Sequence, residues 1–203
     1  MDNSSIIIVG CGGHSKSIID LLKTNGQFKI KGLIGKKEEL NKEVLGYKVI
    51  GTNDDLEEIR SRVSNAVLGV GQIKTVDLRE NLIELLKKYD YKTPKIISKY
   101  SYVSEFSSIG EGTCVGHYAV VNAATKVGKF CILNSKCLVE HDSTIGDFCH
   151  LSTGVLINGN VSIGEKSFIG SGAIIRESIK LPSGSIIGAG KKIMALPIRK
   201  EFN

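Results

Sequence analysis

Val127-Gly128-Lys129-Phe130-Cys131-Ile132-Leu133-Asn134-Ser135-Lys136-Cys137-Leu138-Val139-Glu140-His141-Asp142-Ser143-Thr144-Ile145 decides how the second half of this chain folds. Every sixth residue is aliphatic: Val127, Leu133, Val139, Ile145. The phase runs outward in both directions, without a slip, from Ile97 to Ile193, over seventeen positions that are all Ile, Val or Leu. The same stretch holds nine other such residues, and each falls four or five places after a repeat position. Six is a multiple of the two-residue period of a strand and not of the helical 3.6, so the pattern predicts short strands. Each hexapeptide is read as one flat side of a coil with its aliphatic residue inside. Gly or Asn follows most of these residues (Gly110, Gly116, Asn122, Gly128, Asn134), which predicts that this position supplies the turn conformation of the corner. Small residues recur four places on (Thr113, Ala119, Thr125, Cys131, Cys137, Ser143, Cys149), so those cysteines are read as interior fillers.

Such a repeat stacks coils into a parallel β-helix, each coil touching only its neighbours. It resembles the hexapeptide-repeat transferases, and the resemblance implies a left-handed helix of three hexapeptides, or 18 residues, per coil. Ile97 to Ile193 then leaves room for about five coils.

Ahead of it the period changes near Pro94, and the first half reads as an α/β unit. Ile6-Ile7-Ile8-Val9 is a buried strand running into Gly10-Cys11-Gly12-Gly13-His14, with a helix from Ser15 to Leu22. Lys29 to Ile34 reads as a second strand and Ala66 to Val70 as a third, ending at Gly71. Thr52-Asn53-Asp54-Asp55 caps a helix carrying Leu56, Ile59 and Val63, and Leu78, Leu82, Leu86 and Tyr89 mark another. Alternation of strand and helix implies a parallel sheet with ligands at the carboxyl ends of its strands. The prediction is a Rossmann-like α/β domain over residues 1–93 and a β-helix over 94–203.

The glycine turn presents backbone N–H groups at a helix N-terminus, which suits a phosphate; the alternative is that the glycines serve only the tight turn. Gly10-x-Gly12-x-x-Ser15 lacks the third glycine of a dinucleotide fingerprint, and Gly35-Lys36-Lys37 stands where that fingerprint has an acidic residue, which disfavours NAD. In the β-helix, His141 occupies the outward third position of its hexapeptide between Glu140 and Asp142. An imidazole propped by a carboxylate can take a proton near neutral pH. His117 has no acidic neighbour and reads as a solvated surface residue. With an 18-residue coil, Gly159 lies directly above His141 and is expected to leave open space over the ring; Thr153, Ser171 and Ala189 form a column of small side chains along which an extended ligand could lie.

Taken together, Gly10-Cys11-Gly12-Gly13-His14-Ser15-Lys16, the run from Leu133-Asn134 to Glu140-His141-Asp142, and Ile145-Gly146-Asp147-Phe148-Cys149-His150 resemble the bacterial sugar acetyltransferases of the sialic acid O-acetyltransferase and UDP-4-amino-sugar N-acetyltransferase group. The resemblance implies His141 as general base, Asp142 orienting it with Glu140 second, and Asn134 beside the acceptor sugar. It implies acetyl-CoA contacts at His150, Gly159, Ser171 and Ala189, and a nucleotide sugar held by Gly12, Gly13, His14 and Gly71. It also implies a homotrimer with acetyl-CoA between subunits. The family commonly closes the second strand with an Asp-Asp pair, where this chain has Gly35-Lys36.

The reading is therefore acetyl transfer from acetyl-CoA to an amino group of a nucleotide-activated sugar. Alternatives are O-acetylation of sialic acid or another sugar hydroxyl, and a carbohydrate-binding β-helix without catalysis. Scattered Lys and Arg, 27 together, with no Trp, argue against nucleic acid. No apolar run approaches a membrane span, the opening Met1-Asp2-Asn3-Ser4-Ser5 has no basic leader, and no His, Cys and Asp cluster has ligand spacing. Five cysteines without CxxC pairing suggest a reduced, cytoplasmic protein, and no metal is expected.

Overall fold

The computed structural model describes residues 4–73 and 75–195; the opening Met1, Asp2 and Asn3 and the end of the chain, 196–203, lie outside the described residues. The chain forms two compact units, Met1–Ser98 and Lys99–Asn203.

In the first unit, β1 (Ser5–Val9), β2 (Lys29–Ile34), β3 (Glu43–Val44), β4 (Tyr47–Gly51) and β5 (Asn65–Leu68) form one sheet in the order β3-β4-β2-β1-β5. β1, β2, β4 and β5 are parallel, and β3 turns back on β4 as an antiparallel edge. Helices α1 (Gly13–Asn25), α2 (Leu56–Arg60) and α3 (Asp77–Lys88) complete the unit. β1 is buried at every residue because it is central, and Ile18, Leu22, Leu33, Leu56 and Leu86 are buried too. The chain leaves β1 to one side for β2 and returns to the other side for β5, so the order reverses beside β1, where open α/β sheets bind ligands.

The sequence reading is corrected here in three places. Two strands, β3 and β4, intervene before the one expected third, which begins at Asn65 and stops at Leu68. β3 is two residues long, too short to show a period, and its turn runs through Leu45 and Gly46 in the left-handed region. Val63 is buried but lies beyond α2. Leu78 is exposed, because the buried face of α3 runs through Arg79, Leu82, Ile83 and Leu86.

The second unit is a left-handed parallel β-helix, a three-sided prism. Partners in its ladders are 18 residues apart, as in Val120↔Leu138, Lys126↔Thr144 and Ile132↔His150. Face I stacks Cys114–Val115, Ile132–Leu133, His150–Leu151, Phe168–Ile169 and Ile186–Ile187. Face II stacks Tyr102–Val103, Val120–Val121, Leu138–Val139, Leu156–Ile157, Ile174–Ile175 and Lys192–Ile193. Face III stacks Ser108–Ile109, Lys126–Val127, Thr144–Ile145, Ser162–Ile163 and Lys180–Leu181. Every strand is two residues, and its second residue is the repeat position. From Val115 onward all of these are buried; Val103 and Ile109, on the first coil, are half-buried.

The interior polar residues are satisfied by the backbone. Ser143 Oγ donates to the Asn158 carbonyl at 3.0 Å and accepts from the Val161 N–H at 3.2 Å. Cys131, Cys137 and Cys149 are fully buried. The turns work differently from the expectation. Positive φ falls three places after the repeat residue, at Tyr118, Ala124, Lys136, Asp142 and Asn160 among others, and not on the glycines that follow it directly. Those glycines are required by close approach: a Cβ on Gly110, Gly116 or Gly170 would stand 2.5–2.7 Å from the backbone of the next coil.

Candidate active site

His141 and Asp142 lie on the corner where face II passes into face III. Asp142 takes φ +60°, a left-handed conformation that Asp tolerates better than most residues, and its Oδ2 lies 2.7 Å from His141 Nδ1. A carboxylate can only accept, so the ring proton sits on Nδ1 and leaves Nε2 as the basic nitrogen. The imidazole is 64% exposed. Its pKa is raised, first by the Asp142 hydrogen bond; desolvation opposes this, and the charges of Asp142 and then Glu140 add lesser upward effects.

Gly159, one coil on, faces the ring as its spacing predicts. The expected open space does not exist, however, because the imidazole itself fills it. A Cβ at Gly159 would stand 2.9 Å from both Cε1 and Nε2. Glu140 does not share the ring. Its Oε2 accepts from Asn122 Nδ2 at 2.7 Å, from the coil before. Asn122 escaped the sequence reading, although 18-residue spacing places it beside Glu140.

His150 and Asn134 sit elsewhere, on face I and at the start of the corner into face II, with Asn134 Nδ2 2.9 Å from His150 Nε2. His150 is 8% exposed and meets Phe168 edge-on at 5.2 Å. Thr153, Ser171 and Ala189 line that same corner, all exposed, and Ser171 Oγ lies 2.8 Å from Ser152 Oγ. His117 stands earlier in this column, half-buried beside the rings of Tyr100 and Tyr118. Of the expected residues, one chain thus brings together Glu140, His141, Asp142 and Gly159 on one corner, and Asn134, His150, Ser171 and Ala189 around another. Face II separates the two groups.

In the first unit, Gly12, Gly13 and His14 open α1 and Gly71 follows β5, where a Cβ on Gly71 would be 3.7 Å from His14 Cβ. Gly12 occupies the N-cap position, no side chain caps the helix and its first turn carries no acid, so its terminal N–H groups suit an anion. Gly35, Lys36, Lys37, Leu40 and Thr52 to Asp55 line a neighbouring groove of about 540 Å³. Among the described residues no group of three or more His, Cys, Asp or Glu is placed to hold a metal, and no helix is long and apolar enough to cross a membrane.

A hexapeptide prism with a carboxylate-backed imidazole on its corner has the architecture of an acyltransferase. Residues 5–86 match the family model of the PglD N-terminal domain. The chain is similar to PerB from Caulobacter crescentus, solved in complex with CoA and GDP-perosamine: TM-score 0.86, 27% identity, over 94% of this chain and 88% of that one. It is similar to the acetyltransferase domain of PglB from Neisseria gonorrhoeae FA1090: TM-score 0.85, 30% identity, over 95% of this chain and 92% of that one. The same domain has been solved with acetyl coenzyme A. A curated relative, the uncharacterised protein L142 of Acanthamoeba polyphaga mimivirus, is 29% identical over 118 residues, and this chain spans only 22% of its length. The chain belongs to the bacterial sugar acetyltransferases built on a hexapeptide-repeat β-helix.

Proposed function

We propose that this protein transfers acetyl from acetyl-CoA to an amino group of a nucleotide-activated sugar, with His141 as general base. The observation that carries the reading is the exposed His141–Asp142 pair, its basic Nε2 directed over a glycine. His141 Nε2 takes a proton from the acceptor nitrogen as that nitrogen bonds to the thioester carbonyl carbon. Asp142 steadies the imidazolium. An N–H donor, the His150 ring or a backbone amide, stabilises the oxyanion. The C–S bond then breaks, and the imidazolium returns the proton to the departing sulfur.

Direct attack is favoured over an acyl-enzyme. Cys137 is fully buried and burial pushes its thiol up to about 12, while Cys149 is equally buried with its thiol donating to the Gly164 carbonyl at 3.2 Å. Two carboxylates beside the base favour a neutral amine acceptor, whose nitrogen gains positive charge as it attacks, over a hydroxyl. The bound GDP-perosamine of PerB and acetyl coenzyme A of PglB agree with this substrate pair. The turn of Gly12, Gly13 and His14, with Gly71, takes the nucleotide sugar through its diphosphate. The column of Thr153, Ser171 and Ala189 takes acetyl-CoA.

Because the base and that column stand on different corners, a complete site needs a second copy, and a closed ring of three satisfies every site. Faces I and II agree with such burial. Their outward columns are largely apolar (Ile132, Phe168, Ile186; Val120, Leu138, Leu156), whereas face III presents Ser108, Lys126, Thr144, Ser162 and Lys180. All five cysteines are free, which suits the reducing cytoplasm where these substrates occur.

The test is a screen of nucleotide amino sugars and free sialic acids with acetyl-CoA, following CoA thiol release. Release with the amino sugars alone is expected. Release only with sialic acids would make it an O-acetyltransferase, and none with any acceptor would leave a binding protein.

A further inference from the structure

The position directly after the repeat residue is mostly glycine on one corner (Gly110, Gly128, Gly146, Gly164) and glycine, serine or asparagine on another (Ser98, Gly116, Asn134, Ser152, Gly170, Gly188). The corner of His141 instead carries Ser104, Asn122, Glu140, Asn158 and Arg176, polar side chains on five successive coils before Met194. Its central member is Glu140. From the coil before, Asn122 Nδ2 donates to Glu140 Oε2 at 2.7 Å; on the coil after, Asn158 sends its own Nδ2 to the Ile175 carbonyl at 2.8 Å. Glu140 is thus tied to Asn122, and Asp142 is the carboxylate at the ring.

We propose that Asn122 is a positioning residue for the reaction: by engaging Glu140 it reserves the imidazole Nδ1 for Asp142 and holds the second carboxylate at a fixed remove. The inference rests on reading His141 as the base. Released from the amide, Glu140 relaxes toward the cation nearest to it, the imidazolium, and so stabilises the protonated ring that cannot act as base. The groups around His141 leave little else to respond. Its own coil supplies Glu140 and Asp142. The coils on either side supply Asn122, Ala123, Gly159 and Asn160, none of them charged. Two coils away on this corner stand Glu105 on one side and, on the other, Arg176 paired with Glu177 at 3.3 Å.

The experiment is an NMR titration of the His141 ring in wild type, Asn122→Ala, Glu140→Gln and the double variant, beside the pH profile of kcat/KM. Asn122→Ser, a residue the same column already carries at Ser104, stands in if Asn122→Ala does not fold. Asn122→Ala is expected to move the ring titration upward and to carry the acid limb of the profile with it, with KM nearly unchanged. On the Glu140→Gln background the same substitution is expected to do nothing, which a merely structural role would not produce. An unshifted titration in Asn122→Ala, or an equal shift with and without Glu140, overturns the proposal. A shift in the titration that the rate profile ignores supports the positioning and removes His141 from the role of base, so the two failures are told apart.

Discussion

Two corners of the prism share one repeat and carry different side chains. The corner from face II to face III carries a titrating pair, His141 and Asp142, with Glu140 tied behind it. The corner from face I to face II carries exposed small residues, Thr153, Ser171 and Ala189, in a clear vertical strip. The interior fixes the repeat residue and the small residue four places on, close coil-to-coil approach fixes glycines directly after the repeat residue, and the turn sets the backbone three places on. The residue two places on, the position of His141 and Ser171, points outward at no cost to the core. On the proposed reading, base and donor site stand on separate edges and neighbouring copies would unite them.

Changes on the first corner should act on kcat, and changes on the second on the KM for acetyl-CoA. The largest effect belongs to His141→Ala, expected to lower kcat by about 10²–10⁴-fold while acetyl-CoA still binds, read by stopped-time CoA release and by calorimetric titration. Near-wild-type turnover would break the comparison at its root. Gly159→Ala comes next. Its methyl must displace the ring, so kcat is expected to fall by up to about 10²-fold with the melting temperature unchanged. Ser171→Trp should raise the acetyl-CoA KM and leave kcat nearly as it was; a kcat effect instead would erase the distinction between corners. The smallest shift is that of Asp142→Asn, which keeps the left-handed backbone and removes the charge. The ring pKa, raised mainly by Asp142, should drop, and the acid limb of the kcat/KM profile should move to lower pH.

The prism was legible because one phase persists over seventeen positions and everything else follows from an 18-residue coil. Its turns were not. Tyr118, Phe130 and Phe148 adopt positive φ although aromatic residues give no signal of it, while the glycines mark where backbones of adjacent coils meet. In the α/β unit the central strand β1 announces itself by a continuous apolar run that ends at Gly10, and β2 by the apolar pair Leu33-Ile34 before Gly35. The β3–β4 edge, half exposed and partly two residues long, has too little buried surface to impose a pattern. α3 shows the same limit. Leu78 and Leu82 sit four apart and suggest one stripe, yet the core accepts Arg79, Leu82, Ile83 and Leu86. The His–Asp pair could be read from adjacency; Asn122, eighteen residues from Glu140, needed the coil to bring it near.

Co-expression of His141→Ala chains with Ser171→Trp chains, each separately tagged, and purification of oligomers bearing both tags would test most directly whether one site is assembled from two copies. Each mixed assembly then contains a junction with an intact imidazole from one chain and an intact column from the other. At an acetyl-CoA concentration far below the raised KM of Ser171→Trp, recovery of acetyl transfer well above either parent is the predicted result. Mixed assemblies no more active than their parents would contradict a site divided between the two corners.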